Sequence, residues 1–87
     1  MADINRCRIC GFCYDGYYPW GPDNKTPTYD ICECCGGEFG FDDYTLDDIR
    51  SYRKKWVSEG AKFYVSLHRP EHWNFEEQLK NVPKDYL

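Results

Sequence analysis

The pattern C-x-x-C-G occurs twice in this chain, as Cys7-Arg8-Ile9-Cys10-Gly11 and as Cys32-Glu33-Cys34-Cys35-Gly36. A turn of this kind curls so that two thiolates and several backbone N–H groups face one metal ion, and the glycine supplies the positive φ that closes the curl. Two such turns provide four sulfurs, a complete tetrahedral shell for zinc or for a single iron. One pair alone would also fit a thioredoxin-like redox motif, but two glycine-backed pairs in one short chain point to a metal. The spacing therefore selects Cys7, Cys10, Cys32 and Cys35 as ligands of one ion, with zinc as the expected metal and iron as the alternative.

Length gives that ion its weight. The 87 residues make one domain, and a domain of this size buries too little surface to be stable with a wide margin. A structural zinc contributes on the order of 10 kcal/mol to folding, whereas ordering each residue costs about 1.5 kcal/mol. The metal is thus expected to decide whether the knuckle part, residues 1–44, folds, with residues 45–87 as a helical part packed on it.

The opening Met-Ala-Asp-Ile-Asn-Arg has no apolar stretch that could serve as a signal peptide, and no later run is long enough to cross a bilayer. An intracellular, cytoplasmic location is expected, where a reducing environment favours metal over disulfides for the six cysteines. The net charge of −4 repels phosphate backbones, so the basic footprint of a nucleic-acid-binding ribbon is missing. Aromatic residues make up 18% of the chain. Such rings can fill a small core, and Tyr or Trp left at the surface anchors a partner.

Along the chain, residues 1–6 read as an extended lead-in with Ile4 as its anchor, and Asp15-Gly16 as a turn between β-prone pieces. Pro22 and Pro27 mark a loop, Thr28-Tyr29-Asp30-Ile31 a strand that delivers the second knuckle, and Glu38 to Phe41 a short strand or turn with Phe39 and Phe41 on one side if extended. Thr45 with Asp48 has capping-box spacing and opens a helix whose Leu46, Ile49, Tyr52, Trp56 and Val57 share one face, with Gly60 as its stop. Arg53 lies within that apolar arc, either snorkelling to an acidic neighbour or gripping a partner. Phe63, Val65 and Leu67 alternate as in a strand, and Asn74 with Glu77 caps a short second helix carrying Phe75, Leu79 and Val82. The expected class is α+β: a small zinc-ribbon- or rubredoxin-like knuckle module, then an amphipathic helix, a short strand and a short C-terminal helix.

Other candidate sites are thinner. Cys10-x-x-Cys13 is a second legal pair, so Cys13 can replace Cys7; Cys34, between two ligands on one turn, suits packing better than ligation. His68 and His72 are spaced as a helical pair but Pro70 separates them, which favours ordinary surface or core histidines. A closed four-sulfur shell leaves no open position for substrate, and no catalytic constellation is recognisable, so no enzymatic activity is expected. The run Asp42, Asp43, Asp47 and Asp48 reads as a solvated helix start or as a negative patch for a basic partner. The aromatic loop of Tyr14, Tyr17, Tyr18 and Trp20 divides between shielding the sulfurs and facing outward. The expected partner surface combines Tyr17, Tyr18, Trp20, Asp42, Asp43 and Asp47, with a protein and neither nucleic acid nor membrane as the partner.

The segment Ile31 to Gly40, with Cys7 to Gly11, Arg50 to Trp56, Gly60-Ala61-Lys62, Trp73, Gln78 and Leu79, resembles the small cysteine-rich CPCC-type bacterial proteins. That resemblance covers most of the chain and implies a zinc-ribbon-like core without established enzyme activity. Some small acidic bacterial proteins of this sort serve as immunity partners of toxins, which by analogy suggests an immunity or antitoxin-like role. Cys7 to Asp15 is also similar to the first knuckle of rubredoxin, which implies iron-based electron transfer as the runner-up.

Overall fold

The computed structural model describes residues 4–87, so the first half of the expected lead-in lies outside the described residues. Ile4 and Asn5 form a turn rather than an extended arm. The architecture then follows from two near-copies of one loop. In each, an antiparallel bridge closes the base, Arg6 to Cys13 in the first and Ile31 to Glu38 in the second. Above the bridge Cys7 N donates to Phe12 O and Gly11 N to Cys7 O, and likewise Cys32 N to Gly37 O and Gly36 N to Cys32 O. Below it Tyr14 N donates to Asn5 O and Phe39 N to Asp30 O. Residues 5, 6, 7, 10, 11, 13 and 14 thus correspond one by one to 30, 31, 32, 35, 36, 38 and 39. Gly11 (φ 81°) and Gly36 (φ 79°) occupy the left-handed position that ends each curl, where a Cβ would be strained.

Helix α1, Leu46–Ser58, starts where the capping pattern places it: the Thr45 side chain accepts from Asp48 N at 3.1 Å, and Asp47 and Asp48 sit in the positive first turn. It ends in a Schellman motif, with Ala61 N donating to Trp56 O and Gly60 N to Val57 O. Ile49 and Trp56 are buried, Tyr52 and Val57 half-buried. Leu46, expected on the same face, is 40% exposed. Helix α2, Phe75–Leu79, is capped by Asn74, whose Oδ1 accepts from Glu76 N and Glu77 N. Two short 3-10 turns, Ser66–His68 and Lys84–Tyr86, complete the regular structure.

The architecture is mixed, with helices and very little strand. Among the described residues the β content is the two isolated bridges, so the strands expected at 28–31 and 61–67 do not form as such, and 38–41, expected as a strand or turn, is a turn in which Phe41 N donates to Glu38 O. Two causes are visible. Tyr29 takes φ 62°, and Tyr64 N and Val65 N donate to Cys34 O and Glu33 O of the second knuckle before the chain turns into the 3-10 segment. Phe63 is therefore buried while Leu67 is 94% exposed, and Phe39 is buried while Phe41 points out. The core is the knuckle cysteines with Ile9, Phe39, Ile49, Trp56, Ala61 and Phe63. No helix among the described residues is long and apolar enough to cross a membrane.

Candidate metal centre

Each knuckle aims its two thiols at the same point. Cys7, Cys10, Cys32 and Cys35 place their sulfurs within 4.8 Å of one another, all four buried. Cys7 Sγ lies 3.8 Å from Cys35 Sγ, and Cys10 Sγ lies 3.8 Å from Cys32 Sγ. A tetrahedral ion with metal–sulfur bonds of about 2.3 Å sets its sulfurs about 3.8 Å apart. The cross-knuckle spacing fits that edge, and it is far longer than the roughly 2.05 Å of a disulfide. The six cysteines are free thiols. A tetrahedral S4 set suits zinc or iron, so the donor set fits a metal ion without choosing between them.

Polar groups from distant parts of the chain surround the shell. Tyr14 donates its hydroxyl to Cys32 Sγ at 3.2 Å and accepts from Glu33 N, so a side chain of the first arm clasps the second knuckle. From α1, Tyr52 donates to Cys35 O at 3.0 Å. The next residue, Arg53, donates from Nε to Ile9 O at 2.6 Å and from Nη2 to Arg8 O at 2.9 Å. Gln78 on α2 joins both knuckles, its Nε2 reaching Cys10 O and Cys34 Sγ at 3.1 Å each while Oε1 accepts from Trp73 Nε1.

Burial sets the ionisation of the shell. It pushes the Cys7 and Cys10 thiols up. At Cys32 burial acts in the same direction, but donation from Cys10, Cys35, Cys7 and Tyr14 outweighs it and holds that thiol well below its ordinary value. Burial, followed by the neighbouring Cys32, also raises the Tyr14 hydroxyl, which keeps it a donor. Burial lowers the Arg53 guanidinium, an effect offset in part by the neighbouring Cys7 and Cys10.

The leftover cysteines part company. Cys34 is buried and accepts from Gln78, whereas Cys13 is exposed beside Asn5. His68 and His72 are both exposed, His68 pairing with Glu33. Arg53 neither pairs with a carboxylate nor faces outward, since backbone carbonyls take up its donors.

The six residues expected at a partner surface are spread over different depths. Trp20 and Asp43 are interior: Trp20 Nε1 donates to Asp43 Oδ2 at 2.8 Å, Gly40 N donates to Oδ1 at 2.6 Å, and the Arg8 guanidinium lies 3.9 Å from the Trp20 ring. The correction has a simple cause, because the indole N–H and the carboxylate satisfy each other and can be buried together. Tyr17 is half-buried and bonded to Thr28 and Asp30, and Asp42 accepts from Glu38 N at 2.8 Å. Tyr18 and Asp47 are exposed. Tyr29, Phe41 and Tyr44 are each more than 60% exposed, an orientation of which an aromatic at the edge of a loop gives no periodic signal in the sequence.

Two curated relatives match the chain, both from Bacillus subtilis strain 168. Uncharacterized protein YozI is 32% identical over 93% of this chain and 74% of its own length. Uncharacterized protein YoaQ is 32% identical over 86% of this chain and 70% of its own length. No family model and no solved structure matches the chain.

Proposed function

The chain belongs to the family of YozI and YoaQ, and since those names carry no activity, we propose from the site itself that it is a zinc-stapled protein-binding module. The observation that carries the reading is the closed shell: four buried thiols within 4.8 Å of one another, with carbonyls and sulfurs of both knuckles engaged by Tyr14, Tyr52, Arg53 and Gln78. Such a shell holds an ion for structure and leaves no coordination position for water or substrate. In this reading the knuckles form a zinc-ribbon-like scaffold in the cytoplasm, and the zinc supplies rigidity.

The surface that the scaffold offers supports a protein partner. Phe41 and Tyr44 are exposed beside Asp42, Asp47 and Asp48 at the start of α1, and Tyr29 meets Gly40 next to them. Exposed aromatic anchors with carboxylates close by suit a basic protein surface, with charge speeding the encounter. A toxin with a basic active site, neutralised by occupation as immunity proteins do, is the partner class this favours. The S4 geometry also suits iron, and rubredoxin-like electron transfer is the second reading on that ground.

Protein purified without added metal should contain one zinc per chain and be colourless; a red iron tetrathiolate spectrum would replace the proposal with the second reading. Capture of a basic protein from the native host should survive Tyr18→Ala and fail in Phe41→Ala/Tyr44→Ala. Equal capture by that double variant would remove the surface assignment.

A further inference from the structure

Arg53 does more than close off two carbonyls. The same Nη2 that donates to Arg8 O also donates to Tyr86 O at 2.6 Å, and one turn earlier Arg50 Nε donates to Leu87 O at 2.9 Å. The Arg8 guanidinium lies 4.4 Å from the Tyr86 ring, so residue 8 meets residue 86 by its side chain and, through Arg53, by its backbone. Arg8 and Ile9 are the two residues between the ligands Cys7 and Cys10. Whatever fixes the first knuckle therefore fixes the seat of the 3-10 turn at Lys84–Tyr86.

We infer that Arg53 is a positioning residue for the four-thiol site and that it couples metal retention in the first knuckle to the seating of residues 84–87. This rests on the metal-binding reading above. A dication with four thiolates leaves two negative charges, and Arg53 is a cation hydrogen-bonded to the backbone that carries two of those thiolates. Its fork also fixes two carbonyls of the backbone segment that joins Cys7 to Cys10. Outer-shell partners of this kind commonly change metal affinity by 10- to 100-fold. Coupling is reciprocal, so if the ion steadies the last turn, the last turn steadies the ion.

The test uses the full chain loaded with zinc or, as a spectroscopic probe, with cobalt(II). Arg53→Gln should release zinc to a chromophoric chelator about 10- to 100-fold faster than wild type and shift the thiolate-to-cobalt charge-transfer band. Arg53→Lys keeps the charge but not the fork; it should retain most of the band position while still releasing zinc faster. At saturating zinc, both variants should lose amide protection at Tyr86 and Leu87 while the α1 amides keep theirs. Tyr86→Ala, remote in sequence from every ligand, should also speed release. Zinc release and the cobalt band unchanged in Arg53→Gln, or protection at Tyr86 and Leu87 indifferent to Arg53, would overturn the coupling and leave the metal reading intact. A wild-type chain that takes up neither zinc nor cobalt would overturn both.

Discussion

Replacing Gly11 by Ala, with Gly16→Ala as its control, separates backbone strain from steric exclusion. Both glycines have positive φ, 81° and 68°. An L-residue there is strained by about 1–2 kcal/mol, offset in part by the roughly 0.4–1 kcal/mol that Ala gains by restricting the unfolded chain. That leaves about 1 kcal/mol for Gly16→Ala, whose added Cβ meets nothing within 4 Å. At Gly11 the Cβ would lie 2.6 Å from Gln78 O and 2.9 Å from Val82 N. Those are backbone atoms that no rotamer change can move, and overpacking of this sort adds about 1–3 kcal/mol. The total, about 3 kcal/mol, is a large share of the roughly 4–13 kcal/mol available to a chain this long. Urea unfolding in saturating zinc should place the Gly11→Ala midpoint about 0.7–2 M below that of Gly16→Ala, given slopes of about 1–3 kcal/mol per M. Coincident midpoints would refute the claim that α2 and its C-terminal residues rest directly on the first knuckle.

Removing the ion with a strong chelator should abolish the cooperative thermal transition, because a structural zinc contributes on the order of 10 kcal/mol; circular dichroism with and without metal checks this. Asp43→Ala should destabilise by about 3 kcal/mol, since it strands the buried Trp20 N–H and the Gly40 N–H, and the Trp20 emission should report the change. Burial holds the Asp43 carboxyl above its ordinary value despite donation from Trp20 and Gly40. The fold therefore favours its neutral form, a contribution present below about pH 4 and lost as pH rises through the raised value. Asp43→Asn lacks that dependence, so the stability of wild type relative to this variant should fall with rising pH; a rise would contradict the assignment. Gln78→Ala, which unties Cys10 O, Cys34 Sγ and Trp73 at once, should lower the melting temperature even in excess zinc.

The four thiols were legible because ligand spacing within a knuckle is a local property, and the glycine behind each pair marks the turn that makes it. Capping at Thr45 and Asn74 was legible for the same reason. The strands were not, because Phe63-Tyr64-Val65 alternates as a strand would while its N–H groups are taken by a knuckle carbonyl edge far away in sequence. Trp20 and Asp43 misled for a related reason. An aromatic loop and an acidic run each read as surface, and only their mutual hydrogen bond across 23 positions makes an interior pair of them. Arg53 stood out as a charge in an apolar arc, but the carbonyls that receive it belong to a loop 44 positions earlier.

That the twin loops take their cover from elsewhere has a consequence for biosynthesis. A nascent chain extrudes both thiol pairs well before Tyr64, Gln78 and Tyr86 leave the ribosome, so the sulfurs are uncovered during translation. An ion captured early would be held by a bare cage and exchange freely until the distal half had wrapped it.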